Sequence, residues 1–186
     1  MITVEETKLN GCYIITPRVF KDNRGYFYES YSKRDFEENG LNYEFVQDNH
    51  SYSENKNTIR GLHFQTDPFA QAKLVRCTRG ALYDVAVDLR KDSPTYKQYV
   101  AVELTSDNNK QLLIPRGFAH GFLSLTDDVE IQYKADNYYS PANDSGIIYN
   151  DPEVNVDWVG LGLNGEPILS DKDKKRLVLK KTKVDF

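Results

Sequence analysis

Cysteine is scarce in this 186-residue chain: Cys12 and Cys77 stand alone and no CxxC occurs, which excludes a disulfide framework and a cysteine-built zinc site. A reducing cytoplasm is the expected setting. Only three histidines are present, His50, His63 and His120, with no HxH or HxxxH spacing, so the paired imidazoles on which a mononuclear metal site in a small β-barrel draws are missing. Metal-free chemistry is expected. The chain has no run of about 18 apolar residues and no basic start followed by an apolar stretch, so neither a spanning helix nor a signal peptide is anticipated. Neither G-x-x-x-x-G-K-[ST] nor G-x-G-x-x-G occurs, which rules out a P-loop or Rossmann cradle as a phosphate device. A positive excess is lacking too: 24 Lys and Arg face 28 Asp and Glu, a net charge of −4, so a nucleic-acid-wrapping surface is not expected and an anionic ligand must be met locally.

Aromatic residues are plentiful, with 13 Tyr and 9 Phe, and they suit half-buried strands. Short β-branched and aromatic runs recur between Gly, Pro, Asn and Asp: Cys12 to Ile15, Gly25 to Ser30, Tyr43 to Gln47, Ala72 to Arg76, Ala81 to Leu89, Tyr99 to Leu104, Gln111 to Ile114, Gly121 to Leu125 and Val129 to Tyr133. That spacing predicts an all-β antiparallel sandwich or barrel rather than βαβ units. Helical patterning is confined to Lys33 to Asn39, between Ser32 and Gly40, and to a piece starting near Ser170, both peripheral. No repeat or linker divides the chain, so residues 1–186 are expected to form one domain. Lys73 to Arg90 reads as two strands joined by a turn at Thr78-Arg79-Gly80, the second nearly continuous in apolar residues and therefore central.

In IRGLHFQ, strand alternation places Arg60, Leu62 and Phe64 on one face and Gly61, His63 and Gln65 on the other. His63 and Gln65 would then point together beside a glycine that leaves room for a ligand. His63 is either a hydrogen-bonded structural residue or a general base, and the latter needs a carboxylate to orient the ring and a cation to stabilise the anion formed. Lys73 is a candidate cation or a solvated strand end, and Tyr133 a candidate acid or a core tyrosine. Asp173 stands three residues after Ser170, the spacing of a capping box, and Asp171 is an equally acidic rival. Arg24, Arg60, Arg76, Arg79 and Arg116 lie in or beside strand signals, where a planar fork could meet diphosphate oxygens. The polar run in FVQDNHSYS is either a base-and-sugar recognition loop or a turn after a strand.

Taken together and in this order, DNRGYFYES, FVQDNHSYS, IRGLHFQ, QAKLVRCTRGALYDVAVDLR, IPRGFAHGF, YKADNYYSP, NDP and LSDKD resemble the dTDP-4-dehydrorhamnose 3,5-epimerase family of the cupin superfamily, from about Val19 to Asp173. The resemblance implies a jelly-roll β-barrel with short peripheral helices. It also implies cofactor-free inversion of a dTDP-4-keto-6-deoxyhexose at C3 and C5 through an enolate. Residue by residue, His63 resembles the family's base, Asp173 its orienting carboxylate, Lys73 the enolate-stabilising cation and Tyr133 the acid on the opposite face. Arg60 and His120 resemble pocket residues near the sugar and phosphates. Phe20, Arg24, Glu29, Gln47, Asn49 and Tyr139 resemble nucleotide-binding residues, with the DNRGYFYES part crossing a homodimer interface. Other readings stay open here: a relative that epimerises one centre only, a non-catalytic sugar-binding cupin, and a metal-dependent cupin enzyme.

Overall fold

A computed structural model describes residues 1–186. In chain order its first strands are β1 (Ile2–Glu6), β2 (Tyr13–Pro17), β3 (Phe20–Asp22) and β4 (Gly25–Phe27), followed by helix α1 (Lys33–Glu38). Then come β5 (Gln47–Ser53), β6 (Ile59–Gln65), β7 (Lys73–Arg79), β8 (Ala81–Asp88) and β9 (Tyr99–Thr105). The last strands are β10 (Gln111–Ile114), β11 (Phe118–Ser124), β12 (Val129–Ala135) and β13 (Asp144–Gly146), before the single-turn helix α2 (Asp171–Lys174). Six strands form one sheet in the order β1-β2-β10-β7-β12-β5, five form another in the order β13-β6-β11-β8-β9, and β3-β4 is a separate hairpin. All strand pairs are antiparallel, and the two large sheets make the jelly-roll sandwich that the β-spacing and the motifs led us to expect.

Alternation along the strands sorts side chains into three apolar layers. Val75 and Cys77 of β7 and Leu112 and Ile114 of β10 meet Leu82 and Ala86 of β8 and Phe118 and Phe122 of β11 between the sheets. The outer face of the five-stranded sheet, with Leu62, Phe64, Val85 and Val87, is covered by Val154, Val156, Trp158, Leu179 and Val184 of the long C-terminal wrap. Phe36 of α1 and Leu41 cover Ile15, Leu74 and Leu113 on the outer face of the six-stranded sheet. Ser32 caps α1 by accepting from the Asp35 N–H at 3.3 Å.

The turn after Arg79 does not close a hairpin. It carries the chain from the six-stranded sheet to the five-stranded one, where β8 lies between β11 and β9. Two expectations need correction. The strand anticipated over Tyr43 to Gln47 begins only at Gln47, and the polar run read as a loop is itself β5. Tyr43 and Phe45 instead pack among the aromatic rings over α1. β5 is an edge strand zipped to β12 through its backbone, and backbone pairing leaves no apolar alternation to read. β1, β3 and β13, which gave no clear signal, are likewise edge or hairpin strands.

Candidate active site

The site begins with an irregularity between β6 and β11. His63 lies opposite His120 and Arg60 opposite Phe122, so three steps along β6 match two along β11. One residue of β6 is therefore extra, a bulge that reverses the parity of side chains beyond it. Arg60 and His63 consequently share the inner face, while Leu62 and Phe64 join the outer layer. The expectation that Arg60 would side with Leu62 and Phe64 is overturned, because simple alternation does not survive a bulge. Glycine makes the close approach possible. A Cβ on Gly61, at φ +125°, would lie 2.6 Å from the Gly121 Cα, and one on Gly121 would lie 2.6 Å from the Arg60 carbonyl oxygen.

The bulge opens onto a cavity of about 460 Å³ between the sheets. Arg60, His63 and His120 reach it from the five-stranded sheet, Lys73, Tyr133 and Ser51 from the six-stranded one, and Ser170, Lys172 and Asp173 close one side. His63 Nε2 lies 2.5 Å from Asp173 Oδ1. Ser170 Oγ accepts from the Asp173 N–H at 3.1 Å, so the capping geometry and the contact with the ring coexist on one turn of helix. Asp173 is buried, whereas the rival Asp171 is exposed beside Lys174. Burial pushes the Asp173 carboxyl up, but the hydrogen bond and charge of His63, with the Ser170 hydroxyl, hold it below the usual carboxylate range.

Lys73 makes no hydrogen bond or ion pair; its ammonium sits 5.9 Å from the centre of the Tyr133 ring. Burial pulls its pKa down to about 8, against the opposing pull of Asp84 and Asp144. Burial also raises the Tyr133 phenol, with Arg60 acting in the other direction, so the phenol keeps its proton at neutral pH. Arg60 is anchored to β5, donating from Nε to Ser53 Oγ at 3.1 Å and from Nη2 to the Tyr52 carbonyl at 2.6 Å. The His120 ring meets the fully buried Asp84 at 2.7 Å.

The other expected residues sort into two groups outside the cavity. Gln47 donates to Asn49 at 3.0 Å and accepts from the Tyr139 N–H at 3.1 Å, which gathers those three along the β5 edge. Phe20, Arg24 and Glu29 belong to the exposed β3-β4 hairpin and the segment after it, where Arg24 is tied to Asp22 at 2.6 Å. They do not reach the cavity of their own chain. Gln65 is not a cavity residue either: its amide donates to the carbonyls of Phe69 and Tyr138 and accepts from the Ser140 N–H, bracing two loops. Arg76, Arg79 and Arg116 pair with Gln132, with Asp128 and Glu130, and with Asp136 respectively, so of the five arginines only Arg60 lines the cavity. His50 meets Glu130 on the outer sheet face. Two residues escaped the sequence reading. Asp84 was legible as an acid at an inward position of an otherwise apolar strand, and Lys172, paired with Asp144, gave no signal beyond its charge.

Base and acid candidates thus stand on opposite walls of one cavity, with a partnerless cation near the acid. Such an arrangement can remove a proton from one face of a carbon, hold the resulting oxyanion and return a proton to the other face. The model of the dTDP-4-dehydrorhamnose 3,5-epimerase family matches residues 6–181. This chain belongs to that family. An Escherichia coli (strain K12) dTDP-4-dehydrorhamnose 3,5-epimerase is 51% identical over 180 residues, spanning 96% of this chain and 95% of that protein. A crystal structure of the Bacillus anthracis epimerase with TDP and PPi bound superposes with a TM-score of 0.92 at 49% identity, covering 96% of this chain and 100% of that one. The Legionella pneumophila 3,5-epimerase in complex with dTDP-4-keto-L-rhamnose gives a TM-score of 0.91 at 40% identity, covering 97% and 94%. These epimerases share the jelly-roll frame that brings β6, β7, β11 and β12 around the cavity described here.

Proposed function

We propose that the chain converts dTDP-4-dehydro-6-deoxy-D-glucose to dTDP-4-dehydro-L-rhamnose by epimerising C3 and C5, without a cofactor. One observation carries this reading: the His63–Asp173 pair and the Lys73–Tyr133 pair face one cavity from opposite sheets. His63 takes the proton from a carbon next to the C4 ketone, and the released electron pair forms the enolate C=C bond while charge moves to the ketone oxygen. Asp173 orients the imidazole and stabilises the imidazolium. The Lys73 ammonium stabilises the oxyanion. Tyr133, still protonated because burial raises its pKa, delivers a proton to the opposite face of the same carbon, and the ketone re-forms with that centre inverted. The cycle then repeats at the second carbon after proton exchange restores base and acid.

Arg60 and His120 hold the sugar and phosphates. Gln47, Asn49 and Tyr139 form the nucleotide end of the site, completed in a homodimer by Phe20, Arg24 and Glu29 of the second copy. The exposure of that hairpin, with Phe20, Tyr26 and Phe27 all in solvent in the single chain, supports this completion. Membrane attachment through a helix has no support, since no helix is long and apolar enough to cross a bilayer.

Incubation with dTDP-4-keto-6-deoxyglucose in D₂O, followed by NMR, tests the reading. Deuterium at both C3 and C5 is the expected result. No incorporation above the uncatalysed rate removes the proposal, and label at C3 alone makes the protein a single-centre epimerase.

A further inference from the structure

Of the carboxylate oxygens fully shut off from solvent, one has no hydrogen-bond partner, and it belongs to Asp84. Asp88 accepts from Arg90, Ser93 and Thr95, and Asp151 accepts from the N–H groups of Glu153, Val154 and Leu179. Asp84 is fully buried on β8, on the inward face it shares with Leu82 and Ala86. Its Oδ1 meets His120, and its Oδ2 has no partner. An acid left half satisfied in an apolar layer destabilises the fold, and a purely structural role would not require it. His120, the ring that meets Asp84, lines the same cavity as Lys73, whose ammonium likewise lacks a hydrogen-bond or ion-pair partner.

We infer that Asp84 is a positioning residue for the reaction, a fixed counter-charge excluded from water that keeps Lys73 protonated for the enolate and holds the His120 ring at the cavity wall. Other charges around Lys73 do not supply this. Asp144 of β13 is neutralised on the spot by Lys172 and Arg176, and Asp173 of α2 is engaged by its hydrogen bond to His63 of β6. Arg60 of β6 and Lys172 can only oppose a second positive charge in the cavity, the His120 ring of β11 is engaged by Asp84, and Tyr133 of β12 stays neutral while it keeps its proton. The inference rests on the epimerase reading for its consequence and, for its physics, on Asp84 standing behind His120 at the cavity that Lys73 lines.

The two are separated by measuring them separately. Reductive ¹³C-methylation and NMR titration of Lys73, assigned with Lys73→Arg, need no substrate. In Asp84→Asn the Lys73 signal is expected to titrate at lower pH than in the natural protein. Turnover should fall only about twofold at neutral pH but approach a tenfold loss above about pH 9, if the pKa moves by about one unit from about 8, and recover as the pH is lowered, with KM little changed. A folded Asp84→Asn whose Lys73 titration and high-pH limb do not move overturns the inference. If the natural protein shows no C–H exchange while the Lys73 titration still falls in Asp84→Asn, it is the epimerase reading that has failed. Should Asp84→Asn not fold, Asp84→Glu, which keeps the charge, must retain the Lys73 titration; a fall there also overturns it.

Discussion

Lys73 has to carry a positive charge in a place where burial opposes one. With a folded-state pKa of about 8 in place of the ordinary 10.5, it sheds its proton as the pH rises through about 8, and the oxyanion then loses its cation. Turnover is therefore expected to decline above pH 8 and to lose that limb in Lys73→Met, which should also be slower by about 10²- to 10³-fold at neutral pH; kcat measured from pH 6 to 10 checks both. The linkage to stability has the opposite sign. Between pH 8 and 10.5 the unfolded chain holds a proton that the folded chain has released, so this group makes the fold more stable as the pH rises through that window. Lys73→Met should remove that slope in denaturant titrations. At this scale the chemistry of Lys73, His63 and Tyr133 was legible as residue types, but the choice between Asp173 and Asp171 was not. Two acids on one turn of helix differ only in direction, and direction is set here by the Ser170 hydroxyl that caps the turn.

Among the elements, the bulge between β6 and β11 decides which side chains enter the site. Alternation was the right rule for β8 and β12, where inward and outward residues follow period two. It failed at Arg60 because an extra residue is invisible in a hydrophobic pattern. The two glycines were visible, but their meeting was not, since contact between strands distant in sequence is a tertiary fact. Gly61→Ala places a methyl group 2.6 Å from backbone, so the strands must part or the bulge must move. A loss of about 1–3 kcal/mol in denaturant stability is expected, as for other overpacked sites. Turnover should fall more than that loss explains, because His63 and Arg60 would no longer share a face. Equilibrium unfolding and kcat measured on the same preparation separate the two effects. β5 teaches a related lesson: an edge strand whose outward side chains are Asp48, His50 and Tyr52 looks like a loop until its backbone partner is known.

For the molecule as a whole, the sandwich was readable from strand spacing, while the pairing order was not, because the turn after Arg79 changes sheets where a hairpin would have stayed in one. The exposed β3-β4 hairpin is the part of the chain without a place of its own. If it serves a second copy, two defective proteins should repair each other. Arg24→Ala and His63→Ala are each expected to be poorly active, and their mixture after exchange of subunits should regain activity that neither shows alone, since a hybrid dimer contains one site free of both changes. An assay of the mixture against its separate components checks this, and no gain would confine each site to a single chain. The paired glycines also bear on protein engineering. The segment bearing the imidazole cannot be grafted onto another scaffold by itself: without a matching notch in the neighbouring strand, either the arginine or the histidine would be turned away from the ligand. A successful transplant has to move both strands as one cassette.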